Sequence, residues 1–583
     1  MDECTMMRLL PCFMLATASG TAFAQSVIER NLPEQATPPE TSLTIDEPDY
    51  GQADAEPFGV DLAGVRLIGR DEAVGAAQPG ISIGSVPYAA DEPIREALSP
   101  FLGKPLSRAL IVRMQSALAG VWREAGYPFV SVTVPPQEVT SGVVTLRVVE
   151  FSAGVVSVDA PGAVERNLAG RIRVVPGGRI DARELGEDLD WLNRNPYRLV
   201  EGIFAPGDET GASDLTLKVT RDKSYSVYNS WLNSGSEATG RDRWSLGGGV
   251  WLPALHDLTI AYRFTRSGEV GSDGSVLSLD KGKKGYLSHA ARIDLPTLPR
   301  QSLSIAPNFV ETNQFLGSTP FSFENKTVEL PILYSSAVSN ILPGSYWGDI
   351  YFGVEPKWAR RKTYFAGIHV AEGEAELLNF VLGWSRDFSG SNGRTSIDAR
   401  IKTSVHGPMS HDGDASWSDF TGGRVTDASY VYAGIDVTRL TVLPRGFSWT
   451  SRLSGLIAGQ PLPDTERLGL GGYYAVRGYD IDDGAVDIGL VWRNEIRAPT
   501  LSPLSRRRAG WADRLSPFVF VDLGHGSDID SRDHATAVSG GIGVDYQIGR
   551  TLFAGFAGAM ALNDAGNTRD GDLTLDATVR VAF

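Results

Sequence analysis

The chain has 583 residues and a formal net charge of −16, from 70 Asp and Glu against 54 Lys and Arg. This acidic balance argues against nucleic acid as a partner, because phosphate binding needs a basic surface. Both cysteines, Cys4 and Cys12, lie in an N-terminal segment that we expect to be removed. We therefore exclude disulfides, thiolate catalysis and cysteine-bound metals from the mature protein.

Residues 1–24 have the layout of a cleavable signal peptide. A lone Arg8 precedes a short apolar stretch, and Ala22 and Ala24 stand at the cleavage-site positions before Gln25. Downstream, no apolar run reaches the roughly eighteen residues that a membrane-spanning helix needs. Abundant glycine and aromatic residues, with charge spread over polar segments, favour an outer-membrane β-barrel among the exported classes.

Residues 25–57 are rich in Pro, Glu, Asp and Thr and contain almost no aromatic side chain. A segment of this composition cannot bury enough apolar surface to offset the entropy lost on ordering. We interpret it as an acidic, proline-rich linker.

Residues 58–150 predict a small α+β module in the order strand, helix, helix, strand, strand. The first strand covers 65–69, and Asp91 begins a short helix with Pro93 in its first turn. Ser107 caps a longer helix with one apolar face, and Gly126 ends it. The last two strands cover 129–134 and 143–149. Residues 151–222 predict a second module with the same order.

From residue 223 to Phe583 the pattern is period-two alternation broken by polar, glycine-rich turns. In the last stretch, 573–583, odd positions are apolar and even positions polar, as expected for a strand between lipid and a polar lumen. From Tyr225 onward we count about sixteen crossings of roughly ten residues each. Short connections alternate with longer polar ones, and an even count returns both ends of the barrel to the periplasm.

One connection, between the predicted eleventh and twelfth crossings, stands out because it places Arg477 on a glycine-dense loop. An always-charged guanidinium in a confined space needs a fixed acceptor. Asp522, in the predicted thirteenth crossing, is the candidate, since it shares a lumen-facing side with Phe518 and Phe520. The candidate site residues are Val476, Arg477, Gly478 and Tyr479 in the loop, and Phe520, Asp522 and Gly524 in the strand.

Val-Arg-Gly-Tyr followed by Phe-x-Asp-x-Gly resembles the transporter subunit of two-partner secretion systems, the haemolysin secretion/activation family typified by ShlB, FhaC and HecB. The two modules resemble POTRA (polypeptide-transport-associated) domains, and 126–127 and 195–198 match the pattern of that family. The resemblance implies an all-β transmembrane barrel of about sixteen antiparallel strands after two periplasmic POTRA domains. It also implies a lumen loop anchored by Asp522, a C-terminal assembly signal at Phe583, and a short plug helix as an option within the linker.

The function implied is export of a large unfolded exoprotein, recognised by the POTRA domains and passed through the barrel pore to the cell surface. The alternative is an assembly factor that inserts other outer-membrane proteins; such factors usually carry more POTRA modules. A porin would not explain the tandem modules, and the sequence offers no Ser, His and carboxylate set for an enzyme. We expect no catalysis, cofactor or metal. The expected partners are the secreted exoprotein, the outer-membrane assembly machinery and outer-membrane lipid or lipopolysaccharide.

Overall fold

A computed structural model describes Pro33 and residues 53–583, with gaps at 77, 87–89, 210, 222, 269–277, 280–281, 316–318, 345 and 506–511. The predicted signal peptide lies outside the described residues, as does most of the predicted linker with its optional plug helix. Among the described residues, no helix is long and apolar enough to cross a membrane.

The first N-terminal module is a four-stranded sheet covered by two helices. Its elements are β1 (Pro57–Asp61), β2 (Gly64–Ile68), β3 (Gly80–Ile83), α1 (Asp91–Leu98), β4 (Pro105–Ser107), α2 (Arg108–Glu124), β5 (Val130–Thr133) and β6 (Val143–Glu150). The sheet order is β3-β2-β6-β5, while β1 pairs separately with β4. Ser107 caps α2 as expected, because its Oγ accepts a hydrogen bond from the Leu110 amide at 3.2 Å.

The second module repeats the strand, helix, helix, strand, strand order. Its elements are β7 (Ser152–Asp159), α3 (Ala163–Leu168), α4 (Ala182–Leu192), β8 (Arg198–Pro206) and β9 (Ala212–Arg221). The sheet order is β7-β9-β8, with β7 parallel to β9. Asp181 caps α4 by accepting from the amides of Arg183 and Glu184 at 2.9 and 3.3 Å.

The next described residues form a closed antiparallel barrel of sixteen crossings, in agreement with the predicted fold class. Two of the crossings consist of two shorter strands each, so the barrel has eighteen strand segments. Its strands are β10 (Tyr225–Leu232), β11 (Arg243–Leu252), β12 (Leu258–Arg266), β13 (Gly285–Pro296), β14 (Gln301–Ile305), β15 (Asn308–Phe315), β16 (Phe321–Glu329), β17 (Ile332–Ala337), β18 (Asp349–Phe365), β19 (Ile368–Gly390), β20 (Gly393–Ser404), β21 (Tyr430–Val442), β22 (Ser448–Ala458), β25 (Ile488–Arg497), β26 (Asp513–Ser527), β27 (His534–Ile548), β28 (Leu552–Ala561) and β29 (Leu573–Ala582). Two short strands, β23 (Leu468–Gly469) and β24 (Ala485–Val486), pair with each other between β22 and β25.

Prolines interrupt two of the sixteen crossings and divide each of them into two shorter strands. Both β14 and β15 pair with β13 in one unbroken register, and Pro307 lies between them. In the next crossing Pro331 separates β16 from β17, which likewise share one register against β18. Proline has no N–H to donate, so the ladder loses a rung without a change of strand direction.

The two faces of β26 have the environments that alternation predicts. Val519 and Val521 are 51% and 56% exposed on the outer surface, whereas Phe520 is 3% exposed and Asp522 is fully buried. The acidic side chain therefore faces the interior of the barrel. One external connection differs from the expected long loop, because β18 and β19 meet at the two-residue turn of Ala366 and Gly367. Instead of a long loop, this hairpin has long strands, with 17 residues in β18 and 23 in β19.

Candidate functional site

The connection between β22 and β25, residues 459–487, folds into the barrel; we call it the lumen loop. Its apolar side chains are buried together with side chains of the barrel wall and of the neighbouring external connection, 405–429. That connection contains α5 (Asp414–Thr421), whose Trp417 is 2% exposed. The loop members of this cluster are Leu462, Leu468, Leu470, Ala475, Val476, Tyr479 and Val486.

A glycine-rich hairpin turns the loop so that Arg477 points at the wall. The Gly472 amide donates to the Tyr479 carbonyl at 3.1 Å, and the Val476 amide donates to the Leu470 carbonyl at 2.9 Å. Gly478 has φ +95°, and a Cβ placed there would lie 3.2 Å from the Cβ of Ala559. Only glycine allows both this backbone conformation and this close approach to β28.

Arg477 is buried in a set of charge-assisted contacts. Its Nε donates to Asp522 Oδ2 at 2.7 Å and its Nη2 donates to Asp522 Oδ1 at 3.0 Å, which is the bidentate arrangement that suits a guanidinium. The third guanidinium nitrogen, Nη1, donates to Glu495 Oε2 at 3.0 Å. The ring of Phe520 supports the planar group from below, with its centre 3.6 Å from the guanidinium carbon.

The other predicted loop and strand residues meet around the same pair. The Tyr479 hydroxyl donates to the Val538 carbonyl at 2.8 Å, and the same hydroxyl oxygen lies 2.9 Å from the Asn563 carbonyl oxygen. Gly524 gives Val476 room, since a Cβ on Gly524 would lie 3.0 Å from Val476 Cγ2. The structure thus brings all seven predicted loop and strand residues together.

Phe583 lies outside this group of residues. Its amide donates to the Val227 carbonyl at 2.9 Å, where β29 closes against β10, and its side chain is 69% exposed. Its role as an assembly signal stays a prediction.

Two further parts of the site did not follow from the sequence. Glu495 contacts Arg477 from β25, and the Nε of Arg493 on the same strand lies 3.7 Å from Asp522 Oδ2. A second buried ion pair joins Glu466 of the lumen loop to Lys357 of β18. Alternation along β25 could have placed Glu495 in the lumen, but no motif distinguishes Glu466 or Lys357.

The second module contacts the periplasmic end of the barrel through buried ion pairs. Arg198 Nη2 donates to Asp257 Oδ2 at 2.5 Å, and Trp251 Nε1 donates to the other oxygen at 2.7 Å. Trp251 is 1% exposed and packs in the apolar core of the module. A second pair joins Arg300 Nη1 to Asp188 Oδ1 at 2.8 Å. Arg198 is the last residue of the 195–198 segment that the sequence singled out.

Comparisons with known proteins agree with this architecture. A model of the "Haemolysin secretion/activation protein ShlB/FhaC/HecB" family matches residues 349–546, which include the lumen loop and Asp522. A model of the ShlB-type POTRA domain matches residues 85–150 in the first module. The match to the larger family therefore falls on the segment that carries the candidate site.

Relatives and solved structures extend the similarity over most of the chain. The outer membrane transporter CdiB-2 of Burkholderia pseudomallei is 22% identical over 79% of this chain and 77% of its own length. The heme/hemopexin transporter protein HuxB of Haemophilus influenzae is 21% identical over 69% of this chain and 68% of its own.

The fold is shared with CdiB from Escherichia coli, at a TM-score of 0.67 and 15% identity over 92% of this chain and 94% of that one. CdiB from Acinetobacter baumannii gives a TM-score of 0.57 at 15% identity, with 94% of each chain covered. The two family matches, the transporter relatives and the barrel preceded by POTRA-like modules agree with one another. Over residues 85–150 and 349–546 the chain is thus similar to the ShlB/FhaC/HecB family of haemolysin secretion/activation proteins, and this similarity supports transport by two-partner secretion.

Proposed function

We propose that this transporter recognises one large unfolded exoprotein through the two modules, 58–150 and 151–222, and passes it through the barrel, 223–583, beside the lumen loop. The observation that carries the proposal is the buried Arg477, which two carboxylates hold inside the barrel. A loop held in this way narrows the lumen and provides a surface along which an extended chain can pass. The role we assign to Val476, Gly478 and Tyr479 is to set the position of Arg477.

Sheet edges in the modules support a role in recognition. In the sheet orders β3-β2-β6-β5 and β7-β9-β8, each terminal strand pairs on one side among the described residues. An extended polypeptide can add to such an edge through main-chain hydrogen bonds, with side-chain pockets providing specificity. Because main-chain bonding tolerates many sequences, these edges suit a long unfolded cargo.

In this proposal the free energy for export comes from binding of the exoprotein in the periplasm and from its folding outside the cell. The sequence contains no Gly-x-x-x-x-Gly-Lys-Ser/Thr phosphate loop. Recognition in the periplasm and folding of the exoprotein outside then drive the direction of transport.

We further propose that the assembly machinery reads Phe583 and that external connections contact lipopolysaccharide.

The test removes residues 58–220 and measures both barrel insertion and secretion of the partner exoprotein. We expect the bare barrel to insert, because its hydrogen-bonded strands close on themselves, and we expect secretion to stop. Continued secretion by the bare barrel would contradict the division of roles. An assembly factor predicts a different phenotype, since deleting the whole gene would then lower the amounts of many outer-membrane proteins instead of one exoprotein.

A further inference from the structure

A second buried ion pair holds the lumen loop on another part of the barrel wall. Lys357 of β18 donates to Glu466 Oε1, and the Tyr432 hydroxyl donates to Glu466 Oε2 at 2.6 Å. The Lys357 and Glu466 side chains are 4% and 1% exposed. β18 lies six strands from β26, which carries Asp522, so the two pairs lie on well-separated parts of the wall.

The two pairs have opposite polarity. At one, the loop provides the cation, Arg477, to a carboxylate of the wall. At the other, the loop provides the carboxylate, Glu466, to a cation of the wall. The lumen loop is therefore held to the wall by Glu466 on β18 and by Arg477 on β26. The residue after Glu466, Arg467, donates to Asp528 in the connection that follows β26. Release of Glu466 would separate the loop from β18, while the contact of Arg467 with Asp528 and the contact of Arg477 with Asp522 could persist.

The chemistry of the two ends favours release of Glu466. Arg477 is held by a planar fork on Asp522, by Glu495 and by the ring of Phe520, and a fork in this geometry gains from several aligned bonds at once. Lys357 is a point charge on a flexible stem, which needs no single orientation and rehydrates readily.

Lys357 also keeps a carboxylate when Glu466 leaves. Its Nζ lies 3.2 Å from Glu329 Oε1 on β16, within hydrogen-bond distance. Opening at this end therefore does not leave a buried cation unpaired, which would otherwise be costly. Asp522 would be left less well paired if Arg477 departed, because Arg493 lies 3.7 Å away.

We propose that Glu466 and Lys357 form a releasable second anchor of the lumen loop, which opens during export while Arg477 stays on Asp522. This inference rests on the proposed role of the lumen loop in export. Glu466 and Lys357 act as positioning residues, since they set the place of the loop that borders the passing chain.

The test locks the anchor reversibly. A double variant, Lys357→Cys with Glu466→Cys, is treated at the cell surface with a short thiol-reactive bifunctional reagent whose bonds to the protein are reduced by dithiothreitol. We expect the linked transporter to stop secreting its exoprotein and reduction to restore the rate of the unlinked variant. A linked transporter that secretes at the unlinked rate overturns the proposal.

A matched control staples the loop to itself. Gly469 and Ala485 face each other across β23 and β24, so Gly469→Cys with Ala485→Cys joins the neck of the loop without tying it to the wall. We expect this staple to leave secretion of that variant the same in its oxidised and reduced forms. Loss of secretion with both linkages would mean that any rigid loop blocks export, and the release of Glu466 would then have no support.

A second measurement does not depend on linking. Glu466→Gln removes the charge and keeps a partner for Tyr432, so we expect longer open times in single-channel recordings of the purified protein. Unchanged open times in Glu466→Gln overturn the proposal. Normal secretion by Arg477→Ala would instead refute the proposed function of the loop, which separates the two failures.

Discussion

Arg477 and Asp522 are separated by 45 residues, yet the guanidinium and the carboxylate share two hydrogen bonds of 2.7 and 3.0 Å inside the barrel. The Arg477 amide also lies 3.3 Å from Asp522 Oδ2, so one carboxylate orients both the side chain and the backbone of the loop. Removal of either partner should therefore displace the loop as well as unpair a charge.

Arg477→Ala should abolish secretion without preventing insertion. Breaking a buried pair costs about 3 to 5 kcal/mol, and less where lumen water screens the charge. Since about 1.4 kcal/mol corresponds to a factor of ten, the anchored population should fall roughly a hundredfold or more. Arg477→Lys should recover little, because an ammonium cannot reproduce the planar fork. The measurement is exoprotein secretion at equal surface abundance of transporter.

Asp522→Ala should produce a similar defect, and the double variant should be little worse than either single one. Both changes remove the same interaction, so their effects should not add. Strictly additive losses, or a normal rate in either single variant, would show that the pair does not anchor the loop.

Gly478→Ala should weaken secretion through the backbone alone. A Cβ at this position would lie 3.2 Å from the Cβ of Ala559, and φ of +95° is a conformation that alanine rarely adopts. Such strain costs on the order of 1 to 3 kcal/mol. Gly484→Ala in the same loop is the matched control, because its φ is ordinary and no atom lies within 4 Å of the added Cβ. Secretion should fall in the first variant and stay normal in the second.

The fold could be predicted from the sequence because each barrel strand carries its own pattern. Alternation marks the lipid and lumen faces residue by residue, as Val521 and Asp522 illustrate, and turns mark the ends. In the modules, a capping residue such as Ser107 signals where a helix begins. These are local signals. By contrast, the pairing of β1 with β4 depends on chain segments that meet only after folding, and no local pattern indicated it.

The site could be predicted only in part, for the same reason. Arg477 and Asp522 stand in recognisable motifs, which made their contact a reasonable expectation. Glu466 and Lys357 are 109 residues apart, and neither stands in a motif, so only the closed barrel shows that they meet. Their burial depends on how far the loop enters the lumen, which alternation along the strands does not determine.

Asp257→Asn should loosen the second module from the barrel. Asp257 has φ +69°, which Asn tolerates as Asp does, so this change removes charge without adding backbone strain. It weakens the bond to Arg198, and a hydrogen bond to a charged group contributes about 1.5 to 3 kcal/mol. Hydrogen exchange in 151–222 should rise. Asp208→Asn, on an exposed residue of the same module, is the control and should leave exchange unchanged.

Glu150 should make the joint between the two modules sensitive to pH. The residue ends β6, immediately before the second module, and neither of its carboxylate oxygens accepts a hydrogen bond among the described residues. Arg179 Nε lies 3.3 Å away while its guanidinium stacks on the Tyr127 ring. Burial raises the pKa of Glu150 from 4.5 to about 7.

The direction of the pH effect follows from the raised pKa. Between pH 4.5 and about 7 the folded joint binds a proton that the unfolded chain releases, so stability falls as the pH rises through this window. We expect the protection of the Ala182 amide, which donates across the joint to the Gly126 carbonyl at 3.0 Å, to be higher at pH 5.5 than at pH 8 after correction for intrinsic exchange. Glu150→Gln carries no charge at either pH and should remove this difference, whereas Glu138→Gln, on an exposed residue of the first module, should retain it. Equal pH dependence in the unaltered protein and in Glu150→Gln would show that another group controls the joint.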